Sequence, residues 1–449
     1  MPQLHAHDDD RYPITEPLDT PTLEADAVGA PQGTLRRLRT FESFRFRDYR
    51  LFFSGALLSN VGSWMQTTAL GWLVFDLTSK SSSLGIVNFL AGAPIFFLTI
   101  FTGALADHVN RRILLILTQI VLMLQAVMFG WLAMSGHVTM AWIYGLSLVG
   151  GIGQAFTSPA WQAMTPDLVP RDLLLNAIAL SSAQFNAARL VGPMAAAVVI
   201  WVFGHSQSSG VTEVFWVNAA SFLFVIWALT VIRPKQQARP DSGETPVQML
   251  MAGVHYAAAH RRVWMHLLTA TMLTIFGMPF STLLPSIARG TLGLGASGYS
   301  GLMAANGLGA LTGALLVASL SHTVHREVIV RSGLTVMALG ALVLSFSRSV
   351  PLTMVALAVM GVAFLATVSS INTNLQTAVP PHLRGRVMSL FVLSFMGMMP
   401  FGALAAGTLG DAIGTSWTIL GGALVLLAWG VFLFIRPDML CSGEGADCR

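Results

Sequence analysis

Charged side chains are scarce in this sequence of 449 residues. Asp, Glu, Lys and Arg together make up 10% of it, whereas apolar residues make up 54%. A soluble domain usually carries about 25% charged residues. A chain so poor in charge cannot cover a globule with a solvated surface. The composition therefore excludes a soluble fold and requires that apolar surface face lipid.

Three further absences narrow the class of function. The two cysteines, Cys441 and Cys448, stand in a polar tail and provide neither a disulfide framework nor a metal site. No segment matches the nucleotide-binding pattern GxxxxGK[ST], which excludes ATP-driven transport within this chain. The net charge is +4, but the basic residues form short clusters between apolar runs. Nucleic acid is therefore not expected as a partner, and no cofactor is expected.

Long apolar stretches are what the sequence does contain. A membrane-spanning helix needs roughly 20 mostly apolar residues. Such stretches lie at about 51–75, 84–106, 113–134, 139–163, 177–203, 213–232, 265–287, 298–320, 330–347, 351–376, 387–410 and 415–435. The sequence therefore predicts an all-α integral membrane protein with twelve transmembrane helices.

Polar segments divide this series into parts. The long polar interior segment, Arg233–Arg262, predicts a linker that is partly helical around Val247–Ala259. The first 40 residues are acidic at Asp8–Asp10 and lack the apolar core of a signal peptide, so we expect a disordered extension. The expected parts are a cytoplasmic N-terminal extension 1–40, a six-helix bundle 41–232, a cytoplasmic linker 233–262, a second six-helix bundle 263–436 and a cytoplasmic tail 437–449.

The distribution of Lys and Arg predicts the orientation. With both termini in the cytoplasm, the outer loops hold only Lys80, Arg289 and Arg348, and Arg189 is the one basic residue assigned to a span interior. The remaining 21 of the 25 basic residues lie on the cytoplasmic side, as the positive-inside rule requires. We expect a multi-pass protein of the bacterial inner membrane with both termini cytoplasmic.

The two halves of the chain carry a repeated pattern. Val169–Leu173 precedes the fifth apolar stretch and Val379–Leu383 precedes the eleventh, a shift of 210 residues. The same shift carries Gly192–Ala196 onto Gly402–Ala406. The alternative to a true internal repeat is a chance match between short apolar segments. The shared shift favours two six-helix repeats, an arrangement that places a substrate site at their interface near the midplane.

The sharpest local motif, GALADHVNRR, runs from Gly103 to Arg112 after the second apolar stretch. A six-residue loop predicts a tight hairpin, and Gly103 allows close helix approach. Asp107 stands at the membrane boundary, where a carboxylate can face the positive N-terminus of a neighbouring helix. Arg111 and Arg112 can pair with carboxylates such as Asp167. We predict a latch that forms in one conformation and breaks in another; enforcement of topology is the alternative.

This motif resembles the G-x-x-x-D-R-x-G-R-R loop of the major facilitator superfamily. His108 replaces the usual Arg, and Asn110 replaces the usual Gly, a mild change because Asn tolerates left-handed backbone angles. Three further sequence segments are FRDYRLF from Phe46, NAARLVGP from Asn186 and LRGRVMS from Leu383. They resemble segments of the exporter branch of this superfamily, which includes the enterobactin exporter, macrolide efflux proteins and transmembrane secretion effectors. The resemblance covers about residues 41–436 and implies the major facilitator fold and export.

Arg189 is the most informative residue within a span, because a charge at the membrane centre costs about 3 kcal/mol or more unless it is solvated or paired. Ser182, Asn186, Arg189 and Pro193 recur at helical steps and share one stripe, which we expect to face a water-filled cavity. Arg189 would then bind an anionic substrate or respond to a protonation event. The alternatives are an Arg bonded to backbone carbonyls beside Pro193, or one that snorkels towards the cytoplasm.

Two shorter patterns point to conformational change. Gly192 and Pro193 resemble the G-P motif in the fifth span of antiporter-type facilitators; Pro loosens a helix, and Gly permits close packing. A structural kink is the alternative. Arg384 and Arg386 are expected to meet lipid headgroups or the latch carboxylates, with enforcement of topology as the alternative.

Spans 1 and 4 line the cavity in the superfamily that this chain resembles, and their polar residues complete the predicted substrate-binding set. The set consists of Asn60, Trp64, Gln66, Gln154, Asn186 and Arg189. Ordinary hydrogen bonds between helices, often worth about 0.6 kcal/mol each, are the alternative for any of them.

No carboxylate lies in the middle of a predicted span; Asp76, Glu213 and Asp411 stand near outer ends. The coupling ion is therefore open, with a proton as the candidate. We predict a monomeric secondary transporter that exports a small organic molecule, such as a siderophore, antibiotic or drug, by alternating access. A nutrient importer of the same fold shares every compositional feature. A membrane-embedded enzyme or a receptor would need clustered catalytic residues or a signalling domain, for which the sequence gives no sign.

Overall fold

A computed structural model describes residues 39–204, 210–234, 246–320 and 324–440. All regular elements in these ranges are helices. Most of the predicted N-terminal extension, and the tail from residue 441 with both cysteines, lie outside the described residues.

Six long helices, which we call the first set, occupy the described chain before residue 235. They are α1 (Arg47–Thr78), α2 (Ser81–His108), α3 (Arg111–Ser135), α4 (Met140–Met164), α5 (Leu174–Phe203) and α6 (Val211–Val231). Each of them contains most or all of the corresponding predicted apolar stretch. Helix α7 (Pro246–Ala259) follows, which confirms the helix predicted around Val247–Ala259.

The remaining helices form the second set. They are α8 (Arg261–Met272), α9 (Phe280–Ser286), α10 (Ala296–Leu320), α11 (Arg326–Phe346), α12 (Val350–Ala378), α13 (Pro381–Val392), α14 (Met399–Ile413) and α15 (Thr415–Ile435). Turns of π-helix at Leu273–Gly277 and Leu393–Gly397 join α8 to α9 and α13 to α14.

Ten helical segments of the described chain are long and apolar enough to cross a membrane. Two of them, Arg261–Thr291 and Leu383–Ile413, run through the π-helical turns as single spans. Helices α1 and α4 are 32 and 25 residues long but are not among the ten. The prediction of an all-helical membrane protein is therefore confirmed.

Contacts between helix termini define two ends of the bundle. The near end holds the start of α1, the end of α6, the start of α3 and the end of α4: Asp48 accepts from the backbone amide of Arg233, Arg112 donates to the carbonyl of Leu229, and Arg111 pairs with Asp167. The far end holds the end of α1 and the start of α2, which only Ser79 and Lys80 separate, and Asp411 of α14 contacts Ser81 there. Within the first set, α1 packs on α5 and α6, and α2 on α4. The two sets meet mainly where α2 packs on α14 and α5 on α10.

The hairpin between α2 and α3 is tighter than the sequence suggests. Helix α2 continues to His108, so only Val109 and Asn110 separate it from α3, and the predicted six-residue loop is wrong. Asn110 has an extended backbone rather than a left-handed one, and its side chain accepts hydrogen bonds from the amides of Arg112 and Ile113. Asn replaces the usual Gly here because it caps the N-terminus of α3.

Two arginines at the start of α3 hold the near end of the first set together. Arg111 pairs with Asp167 at 2.9 Å, and both side chains are buried. Arg112 instead donates to the carbonyls of Leu229, at 2.6 Å, and Thr230, near the end of α6. A cation there satisfies carbonyls that the helix leaves unbonded and complements the negative end of its dipole.

Gly192 sets the distance between α5 and α1. A Cβ atom at this position would overlap the Cβ of Trp64 and lie 3.1 Å from the carbonyl oxygen of Val61. The close approach expected of Gly192 is therefore present, and it fixes where Trp64 stands relative to α5.

We predict that Asp167→Ala lowers the stability of the folded protein by about 3 kcal/mol, because it removes the buried carboxylate that pairs with Arg111. The midpoint of thermal unfolding of the purified protein measures this loss. Asp172→Ala, which removes an exposed acid in the following turn, is the matched control. Equal midpoints for the two variants would show that the buried pair does not stabilise the near end.

Gly192→Ala is expected to cost about 1–3 kcal/mol, because the added methyl group overpacks a helix contact that cannot relax without moving backbone. Gly145→Ala on α4 is its control, since a Cβ there meets nothing within 4 Å. Thermal unfolding again provides the measurement. If the two alanine variants unfold together, α1 and α5 are not in the close contact described.

Candidate functional site

Helix α5 passes through the place where the two sets meet. On its side facing α10, a Cβ atom at Gly307 would lie 2.9 Å from the Cα of Leu190 and 3.2 Å from the carbonyl oxygen of Arg189. On its other side, Gly192 packs against α1. Arg189 therefore stands on α5 where α1 and α10 both pack closely against it.

The guanidinium of Arg189 is contacted by one aromatic ring from each set. Its central carbon lies 5.8 Å from the ring centre of Trp64 on α1 and 5.0 Å from that of Phe364 on α12. Both distances fall within the range of cation–π attraction. Trp64 is held in turn by an edge contact with Phe185, with ring centres 6.1 Å apart.

Arg189 has no ion pair and no side-chain hydrogen bond with the described residues, and it is only half-buried. The alternative of an Arg bonded to backbone carbonyls beside Pro193 is therefore not what the structure contains. The ring faces attract the cation but do not accept its five N–H groups in the way an anion does. Chemically, the site offers a planar set of donors to a carboxylate or a similar anion.

Sequence reasoning did not find Phe364, although it completes this site. The residue is one of 26 phenylalanines, and nothing in its local pattern separates it from core packing. It belongs to an aromatic row on the second set, in which Phe364 and Phe395 lie 5.8 Å apart and Phe395 and Phe391 lie 6.0 Å apart.

No hydrogen bond, ion pair or ring contact joins the other predicted substrate-binding residues of the described chain to Arg189. Asn60 is half-buried one helical turn before Trp64, and Gln154 is exposed on α4. Asn186 precedes Arg189 on α5, and its side-chain amide donates to the carbonyl of Ser182 at 2.9 Å. Ser182, Asn186 and Arg189 therefore follow one face of α5, but the Asn186 amide makes a hydrogen bond within the helix.

Gln66 belongs to a hydrogen-bond network inside the first set. It accepts from Asn218 of α6 at 2.8 Å and donates to Gln125 of α3 at 3.4 Å. Gln125 in turn donates to the carbonyl of Leu146 on α4 at 2.9 Å. These bonds join four helices and use both polar atoms of the Gln66 amide. These contacts match the alternative of a hydrogen bond between helices for Gln66. Gln66 lies two residues after Trp64 on α1 and therefore on another face of that helix.

The predicted switch residues lie at the near end and in the middle of the bundle. Gly103 and Asp107 lie in the last turns of α2, and their side chains fall outside the described residues. Arg111, Arg112 and Asp167 make the near-end contacts given above, all within the first set. Gly192 and Pro193 are buried in α5, which continues through both.

Arg384 and Arg386 stand near the start of α13. Arg384 is exposed. The carbonyl oxygen of Arg386 would lie 2.9 Å from a Cβ atom at Gly253 of α7. Helix α7 therefore packs directly against the first turns of the Leu383–Ile413 span.

Two buried polar groups in the second set were not anticipated. Arg331 lies inside the Arg326–Phe346 span, is 6% exposed and stands 5.3 Å from the ring centre of Phe434. Arg331 is the sixth residue of its helix, so it stands close to the near end. His266 is 1% exposed and contacts the side-chain amide of Asn374 at 3.0 Å.

Comparison with known proteins gives the family. Residues 39–445 match the family described as transmembrane secretion effector. The chain is 26% identical over 402 residues to the multidrug efflux pump Tap of Mycolicibacterium fortuitum, covering 87% of this chain and 95% of that protein. It is 26% identical over 395 residues to the enterobactin exporter EntS of Escherichia coli O1:K1 / APEC, covering 86% and 91%.

A third relative is the staphyloferrin A transporter of Staphylococcus aureus, 22% identical with 89% of this chain and 98% of that protein covered. Among solved structures, the fold is similar to an inward-facing, occupied bacterial homologue of the lysosomal transporter Spinster (TM-score 0.70, 15% identity, 91% and 98% covered). A D-xylose–proton symporter is similar too (TM-score 0.69, 14% identity, 88% and 97% covered). The family match spans nearly the whole chain, and the protein belongs to the transmembrane secretion effectors of the major facilitator superfamily, which are transporters and not enzymes.

Proposed function

We propose that this protein is a secondary transporter that exports a small organic anion from the cytoplasm by alternating access. The observation that carries the proposal is Arg189, a half-buried cation at the junction of the two helix sets with rings from both sets as its contacts. Relatives named as a multidrug efflux pump and an enterobactin exporter support the direction of transport.

The anionic substrate class follows from the charge of the site. Within the described residues, no carboxylate is paired with Arg189. A cation inside an apolar bundle is stable when water or a bound anion solvates it. A substrate carboxylate can take that place and form a bidentate, charge-assisted pair. Siderophores, antibiotics and drugs that carry such a group are the proposed cargo, and Asn60 and Trp64 belong to the proposed binding surface.

Twelve spans in two six-helix repeats remain part of the proposal. At about 1.5 Å per residue, the 32 residues of α1 and the 25 residues of α4 extend about 48 and about 38 Å. Both lengths exceed the hydrocarbon thickness of about 30 Å. This supports counting α1 and α4 as membrane spans together with the ten apolar segments. The proposed parts are the bundles 41–232 and 263–436, joined by the linker 233–262.

We assign the near end to the cytoplasm of a bacterial cell, with both termini there, because most Lys and Arg residues lie at that end.

The proposed switch residues are Asp107 with Arg111, Arg112 and Asp167 at the near end. Gly192 and Pro193 in α5, and Arg384 and Arg386 on α13, complete them. A proton is the proposed coupling ion, and a monomer is the proposed state.

The topology is tested with reporter fusions at the predicted outer loops. Because both termini are placed in the cytoplasm, fusions there should all report the outer side. The fusion points are Lys80, His137, Ser208, Gly295, Arg348 and Ile413. A cytoplasmic signal at two or more of them would contradict the layout.

Export is tested by comparing a deletion strain with its complemented parent. The deletion strain should accumulate the cargo inside the cell, secrete less siderophore and become more sensitive to hydrophobic antibiotics. Reduced uptake of an external nutrient, with secretion unchanged, would mean that the protein is an importer.

In the same strains, Arg189→Ala should abolish export, and Arg189→Lys should restore part of it, since an ammonium keeps the charge without the planar fork. Arg348→Ala, which removes an exposed arginine, should leave export unchanged. Normal export by Arg189→Ala would assign Arg189 to helix packing.

A further inference from the structure

A buried arginine of the second set lies near the start of α11. Arg331 is 6% exposed, and its side chain makes no ion pair or hydrogen bond with any residue that the structure describes. Its Nε atom is sealed from solvent without an acceptor. A guanidinium in an apolar bundle is costly unless its N–H groups are satisfied. The position therefore favours an anionic ligand.

The acids of the second set leave this arginine unpaired. Glu327 stands one helical turn before Arg331 on α11, a spacing at which an acid and a base can meet. It instead pairs with Arg262 of α8 at 2.8 Å. Asp438, after the end of α15, pairs with Arg436 at 3.3 Å. The one other acid in the described part of the second set, on α14, lies at the far end.

Arg331 stands in a seam between α11 and α15. A Cβ atom at Gly430 of α15 would lie 2.7 Å from the hydroxyl oxygen of Thr335 on α11, so the two helices approach closely there. One turn away, the guanidinium carbon of Arg331 lies 5.3 Å from the ring centre of Phe434, within the range of cation–π attraction. The two contacts show that α11 and α15 run antiparallel. Since α15 starts beside the far end of α14, this part of the seam lies at the near end.

The seam is open to lipid along its length. Both of its helices are long and apolar enough to cross a membrane. Phe434 and Val431 of α15 are exposed, as are Val336 and Leu339 of α11. Exposed apolar side chains on two membrane spans suit acyl chains, whereas a cation close to the end of a span suits a headgroup. The seam thus offers both surfaces that an anionic phospholipid needs.

The depth of Arg331 agrees with a headgroup as its partner. The residue stands five positions after the first residue of α11, about 8 Å along the helix axis. An arginine at such a depth can extend its charged end towards the interface. Basic pockets between membrane helices on the cytoplasmic side bind anionic headgroups, and the near end is the one assigned to the cytoplasm.

We propose that Arg331 and Phe434 form a binding site for an anionic phospholipid at the near end of the α11–α15 seam. The lipid phosphate accepts hydrogen bonds from the terminal nitrogens of Arg331, a charge-assisted contact that the planar guanidinium favours. The ring of Phe434 holds the guanidinium beside the lipid-facing surface, and the acyl chains lie along the seam. The site rests on the two membrane spans and not on the cargo or the direction of transport.

The test compares two phospholipids with the same acyl chains, the anionic dioleoylphosphatidylglycerol and the zwitterionic dioleoylphosphatidylcholine. Each is titrated into the purified, delipidated full-length protein in detergent, and native mass spectrometry measures its dissociation constant. The anionic lipid should bind the parent protein more tightly. Arg331→Gln should weaken binding of the anionic lipid about fivefold, the effect of about one basic side chain at a membrane surface. It should leave binding of the zwitterionic lipid unchanged.

Two variants separate recognition of charge from a general loss of structure. Arg348→Gln makes the same substitution at an exposed arginine and should keep the parent affinity for the anionic lipid. Arg331→Lys keeps the charge without the planar fork and should recover part of the affinity. If Arg331→Gln does not fold, hydrogen exchange in the parent protein decides. The anionic lipid should then slow exchange at the start of α11 and the end of α15 more than the zwitterionic lipid does.

Inorganic phosphate distinguishes a lipid from a free anion. It should neither displace the anionic lipid nor slow exchange in the seam, because it lacks acyl chains. Displacement by phosphate alone would overturn the lipid site. Equal affinity of the parent protein for the two lipids, equal protection of the seam by them, or equal binding of the anionic lipid by Arg331→Gln and Arg348→Gln would overturn it as well. Lipid binding is measured without cargo, so a failure of the export assay would leave this result standing, and the reverse also holds.

Discussion

A guanidinium inside an apolar helix bundle must be solvated, and this requirement organises the middle of the molecule. Arg189 projects from α5 at the crossing with α10, with Trp64 of α1 and Phe364 of α12 as its ring contacts. No carboxylate of the described chain is paired with it. The buried Arg111, by contrast, is paired with Asp167. A charge left without an acid at the junction of two helix sets is expensive unless an anion visits the site.

Small residues make this junction possible. Gly307 allows α10 to approach α5, and Gly85 and Gly407 do the same for α2 and α14. Within the first set, Gly192 brings α1 against α5, and the hydrogen-bond network around Gln66 joins four helices.

The helices could be predicted from the sequence because about 20 apolar residues in a row have few other uses, and each predicted stretch coincides with a helix. The site could be predicted only in part. Arg189 and Trp64 stand out as polar or amphipathic residues in apolar surroundings, whereas Phe364 looks like any core aromatic. Gln66 is hydrogen-bonded to Gln125 and Asn218 within the first set, a use that composition does not reveal. Asn110 was misjudged because a capping side chain and a left-handed turn both favour Asn.

The central claim is that Arg189 recognises the negative charge of the cargo. The direct measurement compares protection of the purified protein against thermal unfolding by an aromatic carboxylate, salicylate, and by its neutral amide, salicylamide. A ligand that binds the folded state raises the unfolding midpoint once its concentration exceeds its dissociation constant, and the rise continues logarithmically with concentration. The account predicts concentration-dependent protection by salicylate, little by salicylamide, and none by salicylate in Arg189→Gln. Equal protection by the acid and the amide, or protection by salicylate that persists in Arg189→Gln, would contradict it.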